Sequence, residues 1–171
     1  MLSNLSLMGK FVLITETDAI SIYSPVFDGE PMHEFAKFLM SNHNHSHPQL
    51  KKFFDTILAK IRKMEECGAR ENLFRPEGGK IKAMPLYVEL PKVDRKVGKL
   101  RLYCIRISDR LLILGNGGIT VANKYEDDPF LLSCVNKLRC IENKLRQEVK
   151  KAGTDYDNFD AVKQVIETIN I

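Results

Sequence analysis

A chain of 171 residues with 44% hydrophobic and 28% charged residues is long enough for one domain to bury most of its apolar surface without disulfide staples. No run approaches the roughly 18 apolar residues of a membrane span, and MLSNLSLMGKFVLIT has no cation ahead of its first apolar cluster, which argues against a secretory leader and for a cytoplasmic protein. The net charge of +4 is unevenly spread: residues 75–110 hold ten Lys/Arg and four Asp/Glu, so they carry +6 and the rest −2, the kind of positive field a polyanion feels.

Residues 11–23, FVLITETDAISIY, read as two short strands around Glu16-Thr17-Asp18, with β-branched bulk from Val12, Ile14, Ile20 and Ile22. Pro25 and Gly29 close that unit. Residues 31–41 read as a short helix with Pro31 at its first position and Phe35, Phe38 and Leu39 as its apolar stripe. NHNHSHP, residues 42–48, is a polar loop. A longer helix follows over 48–66, where Phe53, Phe54, Ile57, Leu58, Ile61 and Met64 recur at helical spacing and Gly68 supplies the stop.

Residues 80–90 read as a strand that Pro85 confines to an edge or a bulge. KLRLYCIRISDRLLILGNGG reads as a hairpin: strand 99–107, turn Ser108-Asp109-Arg110, strand 111–115. Both strands are nearly continuously apolar, so at least one face is covered, and Asn116-Gly117-Gly118 ends the second as a turn. A helix over 129–151 has Asp128 as its cap, Pro129 at its first position and Gly153 as its end. An amphipathic segment, 158–169, comes last. The order ββ-α-α-βββ-α-α segregates strands from helices, which favours α+β, an antiparallel sheet packed against helices, over a parallel α/β sheet. No linker divides residues 1–171, so they read as a single domain.

Several chemistries find little support. Cys67, Cys104, Cys134 and Cys140 include no C-x-x-C pair and read as buried reduced thiols. His43, His45 and His47 superficially match a metallo-hydrolase signature, but Ser46 stands where an Asp is needed, so they read as loop residues and no metal is assigned. GNGG lacks both the Lys-Ser/Thr of a phosphate loop and G-x-G-x-x-G spacing, and no G-x-S-x-G elbow is present. The basic sheet remains. Lys80, Lys82, Lys99, Arg101, Arg106 and Arg110 are interleaved with Tyr87 and Tyr103. Alternate strand residues share a face, so Arg101 and Tyr103 point one way and Arg106 the other, and Lys80 and Lys82 share a face. A sheet face left open to solvent with such residues can hold phosphates and stack bases.

The order helix-helix, RPEGGKIK, a strand, then GKLRLYCIRISDRLLIL resembles the RelE/HigB toxins of the RelE/ParE superfamily, over about residues 19–150. The resemblance implies a RelE-like fold with an extra N-terminal strand and a C-terminal helical addition at about 154–171. It implies a toxin–antitoxin system: a metal-independent endoribonuclease with no cofactor, acting on RNA that is commonly ribosome-bound, and neutralised by an antitoxin protein. It makes Arg101, Arg106 and Tyr103 the catalytic residues, with Lys80, Lys82, Lys99 and Arg110 holding nucleic acid. No membrane is involved, and an oligomer is compatible with the pattern. Two alternatives stay open: a non-catalytic RelE-like protein-interaction module, and a metal-dependent enzyme built on the histidine loop.

Overall fold

The computed structural model describes residues 8–171; the first seven residues of the segment weighed above as a leader lie outside them. Among the described residues six strands form one sheet: β1 (Gly9–Glu16), β2 (Ser21–Phe27), β3 (Arg75–Pro76), β4 (Ile81–Met84), β5 (Lys99–Ser108) and β6 (Leu111–Thr120), in the order β1-β2-β6-β5-β4-β3. Helices α1 (Glu34–Asn42) and α2 (Pro48–Cys67) cover one face, and α3 (Pro129–Lys151) and α4 (Phe159–Thr168) the other. The mixed α+β class follows from the segregated order of elements. No helix among the described residues is long and apolar enough to cross a membrane.

Two expectations are corrected. The sheet is not wholly antiparallel, because β2 runs parallel to β6 from Ser21↔Leu111 to Tyr23↔Ile113. Nor does it keep an open cationic face. Leu100, Leu102 and Cys104 pack beneath α1 and α2, while Tyr103, Ile105 and Ile107 pack beneath α3 and α4. The nearly unbroken apolar run of β5 is what a strand buried on both faces needs.

Three boundaries also move. β2 continues through Pro25, paired with Phe11, beyond the point where its ladder with β6 stops. β4 ends at Met84, so residues 85–90 lie outside the sheet. β6 does not turn at Asn116-Gly117-Gly118 but runs to Thr120. The strand and helix read as additions are built into the fold: Gly9 and Ile171 exchange two backbone hydrogen bonds of 2.7 and 2.8 Å, and Phe11, Val162 and Ile166 share one core. Of the cysteines, only Cys104 and Cys134 are buried; Cys140 is exposed.

Helix α1 starts at Glu34 and not at Pro31, because His33 is its cap: its Nδ1 accepts from the Ala36 N–H at 3.1 Å. Only the neutral imidazole can accept there, and burial holds the His33 pKa below its ordinary 6.5, against the opposing pull of Glu34. A depressed folded pKa on a base means that the unfolded chain binds the proton first. The capping contribution, about 1 kcal/mol, is therefore complete above 6.5 and fades as the pH falls through that value. Urea unfolding between pH 5 and 7.5 should show this loss in the wild type. The loss should be smaller in His33→Asn, whose cap does not titrate; parallel curves would refute the assignment.

Candidate functional site

The register of β5 on β6 carries the local explanation of the site. Leu102 pairs with Gly117 and Cys104 with Leu114, so Tyr103 alone stands opposite Gly115 and Asn116. This is a β-bulge. Before it, odd-numbered residues of β6 such as Leu111 and Ile113 face α3, and Gly115 meets Leu138 of that helix. After it the parity inverts: Gly118 meets Phe130 and Leu131 of α3, and Thr120 pairs with Lys99. Thr120 thus comes to the side that carries Lys99, Arg101 and Tyr103.

A pocket of about 190 Å³ opens there. Lys99, Arg101 and Tyr103 enter from β5, Arg75 and Glu77 from β3 and the turn after it, and Lys124 from the segment after β6. The cross-sheet row Arg75–Ala83–Tyr103 sets their spacing. Gly78 and Gly79, both at positive φ (106° and 58°), turn the chain so that the Glu77 N–H donates to the Ile81 carbonyl at 3.0 Å. That turn aims Glu77 back across the sheet.

Electrostatically the pocket is out of balance. Its lining holds four cations, Arg75, Lys99, Arg101 and Lys124, and two carboxylates, Glu77 and Glu126. Arg101 is only 9% exposed. It donates to the Pro85 carbonyl and makes no ion pair among the described residues. Burial, then repulsion from Arg75, pushes its pKa down. Burial likewise lowers the Lys99 pKa, helped by Arg101, Arg75 and Arg95. Glu77 lies 3.3 Å from the Arg75 Nε, yet burial outweighs that neighbour and raises its pKa. Tyr103 is 2% exposed, and its ring packs edge-on to Tyr125 with centroids 6.0 Å apart. Burial raises its pKa, so its hydroxyl keeps its proton. Its ring has no free face for a base, which corrects the stacking role; a hydrogen bond from the hydroxyl is what it can offer.

The other residues singled out from the sequence lie elsewhere. Arg106 and Lys82 converge from the α2 side on Glu71, each at 2.7 Å, and Arg106 also donates to Asp109 and, at 2.6 Å, to the Ala69 carbonyl. Lys80 and Lys82 do not stay together: Lys80 donates to the Ile107 carbonyl at 3.2 Å and sits 5.8 Å from the Tyr156 ring centroid. Arg110 stacks on Phe159, 3.7 Å from its centroid. The pocket therefore gathers Lys99, Arg101 and Tyr103, and leaves Arg106, Arg110, Lys80 and Lys82 in structural contacts. It adds Arg75, Glu77 and Lys124. RPEGG was the signal for Arg75 and Glu77: two charges ahead of a double glycine that lets the chain fold back.

The histidines cap and close helices. His43 contacts the Leu39 carbonyl at the end of α1, His45 the Asn42 side chain, and the His47 Nδ1 accepts from the Gln49 N–H at the start of α2. No three metal-ligating side chains converge among the described residues. A larger depression of about 460 Å³, between α3 and α4, holds Lys144, Glu148 and Lys151; Lys151 is already paired with Glu148 at 3.0 Å. No protein-family model, curated protein or solved structure matches this chain.

Proposed function

We propose that the chain is a RelE-like toxin-type module that acts on RNA as a metal-independent ribonuclease, with the pocket holding the scissile phosphate and an antitoxin protein holding the module in check. One observation carries this reading: Arg101 is a nine-tenths buried guanidinium that makes no ion pair among the described residues, while the carboxylate nearby, Glu77, lies 3.3 Å from Arg75. A desolvated charge is costly unless it is paired. Four cations against two carboxylates in one lining leave a surplus that calls for an anion from outside, and an Arg fork matches a phosphate edge.

Size and surroundings narrow the anion. At about 190 Å³ the pocket is smaller than the roughly 300–1,000 Å³ of small-molecule sites, but it has room for a phosphate with part of a sugar. Tyr87 is 71% exposed and stands two residues from Pro85, the acceptor of Arg101. It offers the free aromatic face that Tyr103 lacks, suited to an unstacked base. The excess of four cations over two carboxylates in the lining would draw a polyanion towards the mouth.

The alternative, a non-catalytic RelE-like interaction module, has its own support. Leu86, Tyr87 and Val121, on segments that border the pocket, are 48–71% exposed, apolar surface that a protein partner would cover. Induced expression followed by growth measurement and primer extension on total RNA separates the two. The ribonuclease reading expects growth arrest with discrete cuts, both abolished in Arg101→Ala. Normal growth, intact RNA and folded protein would leave the interaction module.

A further inference from the structure

We infer that Glu77 and Lys99 are the proton-transfer pair of the pocket, Glu77 as the base that takes the ribose 2′-hydroxyl proton and Lys99 as the acid that protonates the departing 5′-oxygen. The inference rests on the ribonuclease reading and assigns residues to the reaction. Both side chains line one cavity with Arg101, and they enter it from opposite sides. Glu77 comes from the β3–β4 turn, at the level of Ile81 and hence of its β5 partner Ile105. Lys99 comes from the first residue of β5, opposite Thr120. An in-line displacement needs base and acid on either side of the phosphorus, with cations on the oxygens between them. Arg75, level with Tyr103 across the sheet, and Arg101, two residues along β5, lie between the Ile105 level of Glu77 and Lys99.

The step balances without a further reactant. The 2′-oxygen–phosphorus bond forms as the phosphorus–5′-oxygen bond breaks. One proton passes from the 2′-hydroxyl to the Glu77 carboxylate and one from the Lys99 ammonium to the 5′-oxygen. The products are a 2′,3′-cyclic phosphate and a 5′-hydroxyl, and solvent restores both groups.

The environments suit these roles. The groups facing Glu77 are Arg75, Arg101 and Arg139, which favour its charged form, and Glu126, which opposes it together with the dominant effect of burial. Those facing Lys99 are Arg101, Arg75 and Arg95, all cations, beside burial. Glu77 is thus more basic than an ordinary carboxylate and Lys99 more acidic than an ordinary amine, each shifted towards the pH at which both must work. Tyr103 retains its proton and cannot serve as the base.

The test is the single-turnover rate of an oligoribonucleotide against pH with the purified full chain. Binding of the same oligonucleotide, 2′-deoxy at the cut, is measured alongside. The wild type should give a bell-shaped profile. Glu77→Gln should cut the rate by roughly 10²–10⁴-fold and remove the acid limb, with binding kept; Glu77→Asp should restore part of the rate. Lys99→Arg should keep binding and lose the alkaline limb. Unchanged limbs in folded Glu77→Gln and Lys99→Arg, or a rate loss that follows a binding loss, would overturn the pair while leaving the ribonuclease reading intact. A wild type that binds RNA and cuts none at any pH would overturn both.

Discussion

Gly117→Ala should destabilise the fold by about 4 kcal/mol, beyond the roughly 1–3 kcal/mol of ordinary overpacking, whereas Gly118→Ala, one residue on, should change stability by less than about 1 kcal/mol. A Cβ on Gly117 would lie 1.9 Å from the Arg101 carbonyl oxygen, 2.8 Å from its carbon and 3.0 Å from the Leu102 Cα. All three are backbone atoms of β5, a central strand buried on both faces. They can yield only if β5 and β6 separate beyond normal strand spacing, next to a bulge that has already used the local slack. A Cβ on Gly118 would meet the Phe130 ring at 3.2 Å, and Phe130 is 54% exposed and free to swing away. The entropy that alanine removes from the unfolded chain, worth about 0.4–1 kcal/mol, offsets the small remaining clash. Urea unfolding of the two variants checks this, and equal losses would refute it. Because the crowded carbonyl belongs to Arg101, Gly117→Ala should also weaken anion binding in whatever fraction stays folded.

That glycine shows where reading the sequence stops. Helix α3 was legible to the residue, since Asp128, Pro129 and Gly153 mark its ends by local chemistry alone. Asn116-Gly117-Gly118 reads as a turn for equally local reasons. What keeps it in a strand is the approach of the Arg101 carbonyl, which no neighbouring residue reveals. The same limit governs the site. Lys99, Arg101 and Tyr103 could be grouped because alternate strand residues share a face, and the same rule already set Arg106 apart. Arg75 and Glu77 could not be joined to them, because their place depends on β3 lying two strands from β5 and on two glycines at positive φ. Tyr103 and Tyr87 look alike as letters; one is 2% and the other 71% exposed, and only the second covered face of the sheet separates them.

Arg101→Met and Arg106→Met should act in opposite ways, although the sequence offers the two arginines as one clamp. Arg106 spends its donors on Glu71, Asp109 and the buried Ala69 carbonyl. Its carboxylate partners are about 60% exposed, at 63% and 62%, so water replaces the ion pairs at small loss. The Ala69 carbonyl, on a residue with 0% exposure, has no such substitute. Leaving it unpaired costs about 1–3 kcal/mol, so Arg106→Met should lose that much stability with RNA affinity intact. For Arg101 the signs reverse. Its charge is desolvated and repelled by Arg75, and methionine removes both penalties while filling similar space. The Pro85 carbonyl loses a donor, which cancels part of the gain, so stability should stay within about 1 kcal/mol of the wild type. Affinity for an oligoribonucleotide should fall by about 30-fold or more, the effect of deleting one partner of a buried charge pair, and the salt dependence of binding should shallow by about one phosphate contact. Urea unfolding beside fluorescence anisotropy at several salt concentrations reads all four quantities. Should Arg106→Met abolish binding while Arg101→Met leaves it whole, the RNA site belongs on the α2 face around Glu71, and the pocket beside the bulge has another purpose.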